Sequence, residues 1–178
     1  VNQIPEVFTQ FRKGVEKLSQ VRNCFEVPEK IKFPEIDERY RKRKIPSLDY
    51  YGLEDPKSEP RKVMNFIGGE GSGLGRIQSY FWEDDLLKEY KNTRNGLIGA
   101  DYSSKLSPWL ALGCISPRTV VEEIRLYEKT RKKNQSTYWL IFELIWRDYF
   151  KFICKKHGTD VFQIDGIKKQ MDGLLAKG

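Results

Sequence analysis

The chain has 178 residues, 39% hydrophobic and 13% aromatic, which is enough for one domain with a sizeable core and too apolar for a disordered polymer. Its net charge of +7 is spread without a long single-sign block and favours partners that carry phosphates. One histidine and three well-separated cysteines argue against a zinc site, a Ser-His-Asp triad and a disulfide framework, and point to a reducing, intracellular setting of unspecified organelle.

No apolar run approaches the roughly 20 residues of a membrane span, and no signal-peptide pattern opens the chain. A membrane is therefore not an expected partner. The first residue is Val1 instead of methionine, so the chain reads as a piece of a longer protein.

Residues 5–19 predict a helix with Pro5 in its first turn and Val7, Phe11, Val15 and Leu18 on one face. Residues 24–68 hold five prolines and no sustained period, and read as a long surface connector. The basic run Arg39 to Lys44 inside it reads as a solvated linker stretch, in preference to a nucleic-acid patch.

A helical region starts near Gly68. Its glycine run does not match the dinucleotide spacing and lacks a βαβ context. It reads as a flexible entry with Ser72 near the helix start, followed by a stripe of Leu74, Ile77 and Phe81. Asp84 to Lys91 predicts a short helix with acids first and lysines later, stopped by Asn95-Gly96.

Residues 107–113 predict another short helix, with Pro108 in its first turn and Gly113 at its end. Ser116 then caps a helix with Pro117 at its first position and Val120, Ile124 and Tyr127 facing inward. Residues 136–156 give the strongest helical pattern, with Ser136 as cap and apolar residues on nearly all sides, as in a buried helix. Residues 167–175 suit a small amphipathic helix, and no strand pattern convinces. The chain reads as all-α after a long linker.

Two segments carry chemistry. Trp139, Glu143, Trp146 and Phe150 are spaced four, three and four apart and share a helical face, with Arg147 one turn from Glu143 as its partner. Such a set reads either as an internal ion pair among core aromatics or as a cavity wall with flat faces and an orienting carboxylate. The loop Ser103-Ser104-Lys105-Leu106-Ser107 offers hydroxyls and a cation ahead of a helix N-terminus, the makings of a pyrophosphate seat. Its plainer reading is a capped helix with a solvated lysine. Tyr90 and Arg94, one helical turn apart, precede the loop.

Tyr90 to Asn95, Asp101 to Ser107, Leu112 to Arg118 and Phe142 to Phe150 together resemble the photolyase/cryptochrome family in order and spacing. The DASH-type cryptochromes look nearest, from Gly68-Gly-Glu70, Tyr80-Phe-Trp82, Arg94-Asn-Gly96 and Ser136-Thr-Tyr-Trp139. The likeness is strong over about residues 66–157 and fair over 5–22.

The resemblance implies the N-terminal part of a helical FAD-binding domain. Residues 1–22 would end a preceding domain, 23–67 would link, and 68–178 would form the partial flavin domain. It implies non-covalent FAD held by Tyr90, Ser103, Ser104, Lys105, Leu106 and Ser107, with Arg147 on the flavin side. It implies DNA as partner, single-stranded by preference, with Arg94 on the backbone, Glu143 on the bases of a pyrimidine dimer, Trp146 stacked on the flipped lesion and Phe150 beside them. The implied activity is light-driven dimer repair, with Glu143 and Trp146 as its catalytic pair. A folate-type antenna belongs to a full-length parent only. One wall of a site implies inactivity alone and self-association through an open apolar face. The rival reading is a non-enzymatic nucleic-acid-binding or interaction module.

Overall fold

A computed structural model describes residues 3–55, 57 and 59–167, and every regular element among them is helical. The first helix, α1, covers Phe8–Leu18. Pro5 and Val7 precede it, so the inward face is Phe8, Phe11 and Val15. Val7 and Leu18, expected on that face, are 55% and 82% exposed. Phe11 and Val15 lie on the face as expected, while Val7 is the extended residue before the helix and Leu18 its last residue.

From Ser19 to Gly69 the chain is mostly irregular, with one helical turn, α2 (Glu38–Arg41), and a 3-10 turn, Asp49–Tyr51. It is pinned near both ends. The Cys24 N–H donates to the Glu122 carboxylate at 2.5 Å, and the Trp109 indole N–H donates to the Ile67 carbonyl at 2.8 Å. Within the basic run, Arg39 pairs with Asp37 and Lys42 with Glu38, both at 2.9 Å and largely in solvent.

Helix α3 (Glu70–Ile77) continues directly into a π turn, Gln78–Glu83. Its cap is Gly69, at φ 96, in place of Ser72. The glycine run is no flexible entry: Gly73 is buried where a Cβ would stand 2.6 Å from Ile115 Cγ2 and 3.1 Å from Trp109 Cγ. Ile77, Tyr80 and Phe81 all turn inward, while Leu74 is 40% exposed.

Asp84 to Lys91 is not one helix. Asp85 sits in the left-handed region at φ 53 and breaks the run into a 3-10 turn, Leu86–Glu89, and a short helix, α4 (Tyr90–Thr93). The Asp85 carboxylate accepts from Lys88 Nζ at 2.5 Å, from the Tyr127 hydroxyl at 2.5 Å and from Arg131 at 3.2 Å.

Helix α5 (Ser107–Ala111) is one turn long, and Gly113 at φ 72 closes it. Helix α6 (Pro117–Thr130) begins as its sequence predicts: Ser116 Oγ accepts from the Arg118 N–H at 3.2 Å, and Pro117 follows. Val120, Ile124 and Tyr127 are fully buried.

Helix α7 (Gln135–His157) is capped by Asn134, whose side chain accepts from the Ser136 and Thr137 N–H groups while Thr137 Oγ1 accepts from the Asn134 N–H. Ser136, expected as the cap, is buried and accepts from the Lys91 N–H at 3.1 Å. Asn134 Nδ2 also donates to the Lys88 carbonyl at 2.8 Å. Asn134→Ala should cost about 1 kcal/mol, read as a lower urea midpoint with an unchanged slope.

Two apolar clusters share α7. Leu140 and Leu144 join Tyr80, Phe81, Ile124 and Tyr127 in the larger one. Tyr149 and Ile153 hold Phe8 and Phe11 of α1 in the smaller. The helix is not buried on all sides: Phe150 and Phe152 are 56% and 40% exposed. After α7 a 3-10 turn, Gly158–Phe162, follows. The expected helix over 167–175 lies, beyond Ile167, outside the described residues.

Candidate functional site

A cavity of about 330 Å³ opens between the loop before α5, α4, α6 and α7. Its lining includes Tyr90, Ser104, Leu106, Ser107, Glu143 and Arg147, with Leu110, Val120 and Leu140 as apolar floor. Six residues singled out by sequence pattern, from three segments, therefore converge on one concavity.

The loop side is built by backbone geometry. Lys105 is left-handed at φ 55, and Leu106 follows in the right-handed region at φ −77, ψ −11. Neighbouring residues of opposite hand turn successive N–H groups toward one side, the concave arrangement that receives anions. The N–H groups of Lys105, Leu106 and Ser107 take part in no hydrogen bond among the described residues. Helix α5 has five residues and sums few peptide dipoles, so the expected helix-dipole contribution is small. Ser107 makes no side-chain cap bond, and Lys105 is half-buried outside the cavity lining.

On the α7 side the pairing differs from expectation. Glu143 Oε1 is held by Arg94 at 2.9 Å, not by Arg147. Arg147 donates to the Leu110 carbonyl at 3.3 Å and to Asp148 at 3.1 Å. A carboxylate facing a cavity takes the cation that another helix brings to it, and α4 brings Arg94. Arg94 and Lys91 also lie over the Trp139 ring, 5.6 and 4.8 Å from its centroid. Tyr90 is buried and borders the cavity with Glu143. Burial first, and then the Glu143 charge, push its pKa well above the usual tyrosine value, so it stays protonated as a donor.

The shared aromatic face does not form the cavity wall. Trp139, Trp146 and Phe150 lie outside the lining, and Glu143 alone of that set borders it. Trp146 stacks on Phe8 of α1, with ring centroids 3.5 Å apart and planes 11° apart, and on Phe150 at 5.4 Å. Near 100° per residue, Trp146 turns about 60° from Glu143, enough to reach α1. Ser103 contributes its carbonyl to Arg76 and does not line the cavity.

Sequence reasoning missed Arg76, which is buried and binds the loop's carbonyls. Its signal is an arginine between a glycine three residues before it and a tyrosine four after it, inside an otherwise apolar face. Phe8 is neither in the predicted stripe nor in the predicted site; it takes the inward place expected for Val7, beside the predicted Phe11 and Val15.

The chain is 52% identical over 169 residues to a rice protein named cryptochrome DASH, chloroplastic/mitochondrial, covering 93% of this chain and 29% of that one. It is 48% identical to cryptochrome DASH of Xenopus laevis, over 94% of this chain and 32% of the relative. A crystal structure of a Synechocystis cryptochrome superposes with a TM-score of 0.84 at 46% identity, over 93% of this chain and 34% of the other. The chain belongs to the DASH-type branch of the photolyase/cryptochrome family. Its all-α fold matches helical structure of the Synechocystis cryptochrome. It spans about a third of the length of these DASH relatives. No protein-family model matches the chain. Among the described residues no helix is long and apolar enough to cross a membrane, and no cluster of His, Cys, Asp and Glu suits a metal ion.

Proposed function

We propose that this chain supplies one side of a non-covalent FAD site and of the adjoining DNA site in a light-driven DASH-type repair flavoprotein. The observation that carries the reading is the convergence of Leu106 and Ser107, which follow the left-handed Lys105, with Tyr90, Glu143 and Arg147 around one cavity. The cavity lies at the small end of the roughly 300–1,000 Å³ of ligand pockets, which suits a part of a dinucleotide. Residues 1–22, 23–67 and 68–178 would be the end of a preceding domain, a linker and the partial flavin domain.

Bound flavin supplies light absorption and one-electron chemistry. The N–H groups of Lys105, Leu106 and Ser107 would donate to phosphate oxygens, with the Ser103, Ser104 and Ser107 hydroxyls and the Lys105 ammonium nearby. Tyr90, Leu106 and Leu140 exclude water, and Arg147 faces the ligand while its backbone bond to Leu110 fixes it.

Glu143 is oriented by Arg94 through Oε1, which leaves Oε2 to accept from base N–H groups. Arg94, paired with Glu143 through Nη1, would also meet a phosphate of the strand. Trp146 and Phe150 would offer ring faces to a flipped lesion, with Phe8 backing Trp146. A single strand has less pairing to lose on flipping, which favours it as partner. Repair by this chain alone is not part of the proposal. Self-association would use the half-buried aromatic side around Trp139 and Trp146, and three free cysteines fit an intracellular setting. A folate-type antenna would belong to a full-length parent.

The test is FAD titration followed by gel filtration and the visible spectrum. Saturable flavin bands that travel with the chain and are displaced by inorganic pyrophosphate are expected. Glu143→Gln should keep the flavin and weaken binding of a dimer-containing single strand about tenfold, the loss of a charge-assisted bond. Salt-sensitive strand binding with no flavin would replace this reading by that of a nucleic-acid-binding module.

A further inference from the structure

Arg76 is the one charged residue among those described that is buried. Its guanidinium is committed to a single loop. Nε donates to the Ser104 carbonyl at 3.0 Å, and Nη2 donates to the Ala100 carbonyl at 2.8 Å, with a longer contact to the Ser103 carbonyl at 3.4 Å. Its nearest carboxylate, Asp101, stands 3.5 Å away and is 61% exposed. A surface ion pair therefore does not explain the burial. The ring of Tyr80, centred 5.0 Å from the guanidinium carbon, closes the other side.

A trans peptide points its N–H opposite to the preceding C=O. With the Ser103 and Ser104 carbonyls turned to Arg76, the N–H groups of Ser104 and Lys105 turn away from it. Lys105 also holds a left-handed conformation that costs a residue with a Cβ roughly 1–2 kcal/mol. Something must hold the loop in that state, and the planar fork of an arginine can grip several carbonyls at once.

We propose that Arg76 is a positioning residue: it aims the peptide groups of residues 100–107 so that their N–H side receives the phosphates of a dinucleotide. This rests on the reading of that loop as a phosphate seat. Arg76 does not touch the ligand and acts through the loop alone.

The test uses the full chain with Arg76→Gln and Arg76→Lys. Trypsin cleavage after Lys105 should become about tenfold faster in Arg76→Gln, while cleavage after Arg118 and Lys129 stays unchanged. Arg76→Lys, which presents one ammonium to three carbonyls, should fall between. Unchanged cleavage after Lys105, or an equal rise at all sites, overturns the proposal, because a merely structural arginine would loosen everything together.

A second readout compares FAD with riboflavin, which lacks the phosphates. Arg76→Gln should raise the FAD Kd about tenfold and leave the riboflavin Kd alone. Equal losses for both flavins overturn the proposal. If the unsubstituted chain binds neither flavin, the flavin reading fails by itself, and the Lys105 cleavage rate still decides the role of Arg76.

Discussion

Asp85→Ala is expected to destabilise the chain by about 3 kcal/mol. The carboxylate serves Lys88, Arg131 and the Tyr127 hydroxyl, and Tyr127 is fully buried. An unpaired buried hydroxyl costs about 1–3 kcal/mol. Alanine at φ 53 adds roughly 1–2 kcal/mol of backbone strain. Asp85→Asn separates the two causes, since asparagine tolerates the left-handed region and keeps an acceptor.

The same residue gives an acid signature. Hydrogen bonds from Lys88 and then Tyr127 lower the Asp85 pKa from 3.8 to about 2. A depressed folded-state pKa contributes stability that is fully present above the unfolded value, near pH 4, and is lost as pH falls toward about 2. Urea midpoints measured from pH 5 to pH 2 should therefore fall less steeply for Asp85→Asn than for the unsubstituted chain. Parallel curves would show that Asp85 is not a source of the acid sensitivity.

Gly73→Val should cost about 3 kcal/mol, at the upper end for overpacking. The added Cβ would stand 2.6 Å from Ile115 Cγ2 and 3.1 Å from Trp109 Cγ. Both neighbours are buried, and Ile115 is stiff at χ1, so neither yields cheaply. Trp109 belongs to α5, and its displacement should also disturb the cavity between α5 and α7. Gly75→Ala on the same helix is the control: nothing stands within 4 Å of its Cβ, and helix propensity predicts a gain of up to about 1 kcal/mol. Thermal midpoints moving in opposite directions for the two variants would confirm that contact, not glycine loss, sets the cost.

Much of the fold was legible because it is local. Ser116-Pro117 starts α6 by side-chain capping and a preset φ, and both signals sit in adjacent residues. Asn134 and Ser136 compete as caps for α7. Asn134 wins because Thr137, three residues on, returns the bond, a reciprocity that Ser136 lacks. Asp85 broke a predicted helix because three partners from two elements hold it left-handed, which no window around residue 85 displays.

The candidate site divides the same way. Spacing placed Glu143 and Arg147 one turn apart, but spacing does not say what faces them. Arg94 reached Glu143 from α4, and Arg147 turned to the Leu110 carbonyl. Arg76 escaped notice because its partners are main-chain carbonyls, which have no signature in the sequence.

The connector between α1 and α3 is held at Cys24 and at Ile67, and nearly everything between is exposed. Its thermodynamic burden is the entropy of closing a loop between two fixed posts. That entropy grows with the logarithm of length, so doubling the loop adds only about 0.6 kcal/mol. The span over residues 25–66 is therefore the part of the chain where insertions and deletions accumulate at little cost. A single residue added between Gly73 and Arg76 would instead rotate the guanidinium about 100° away from the loop it grips.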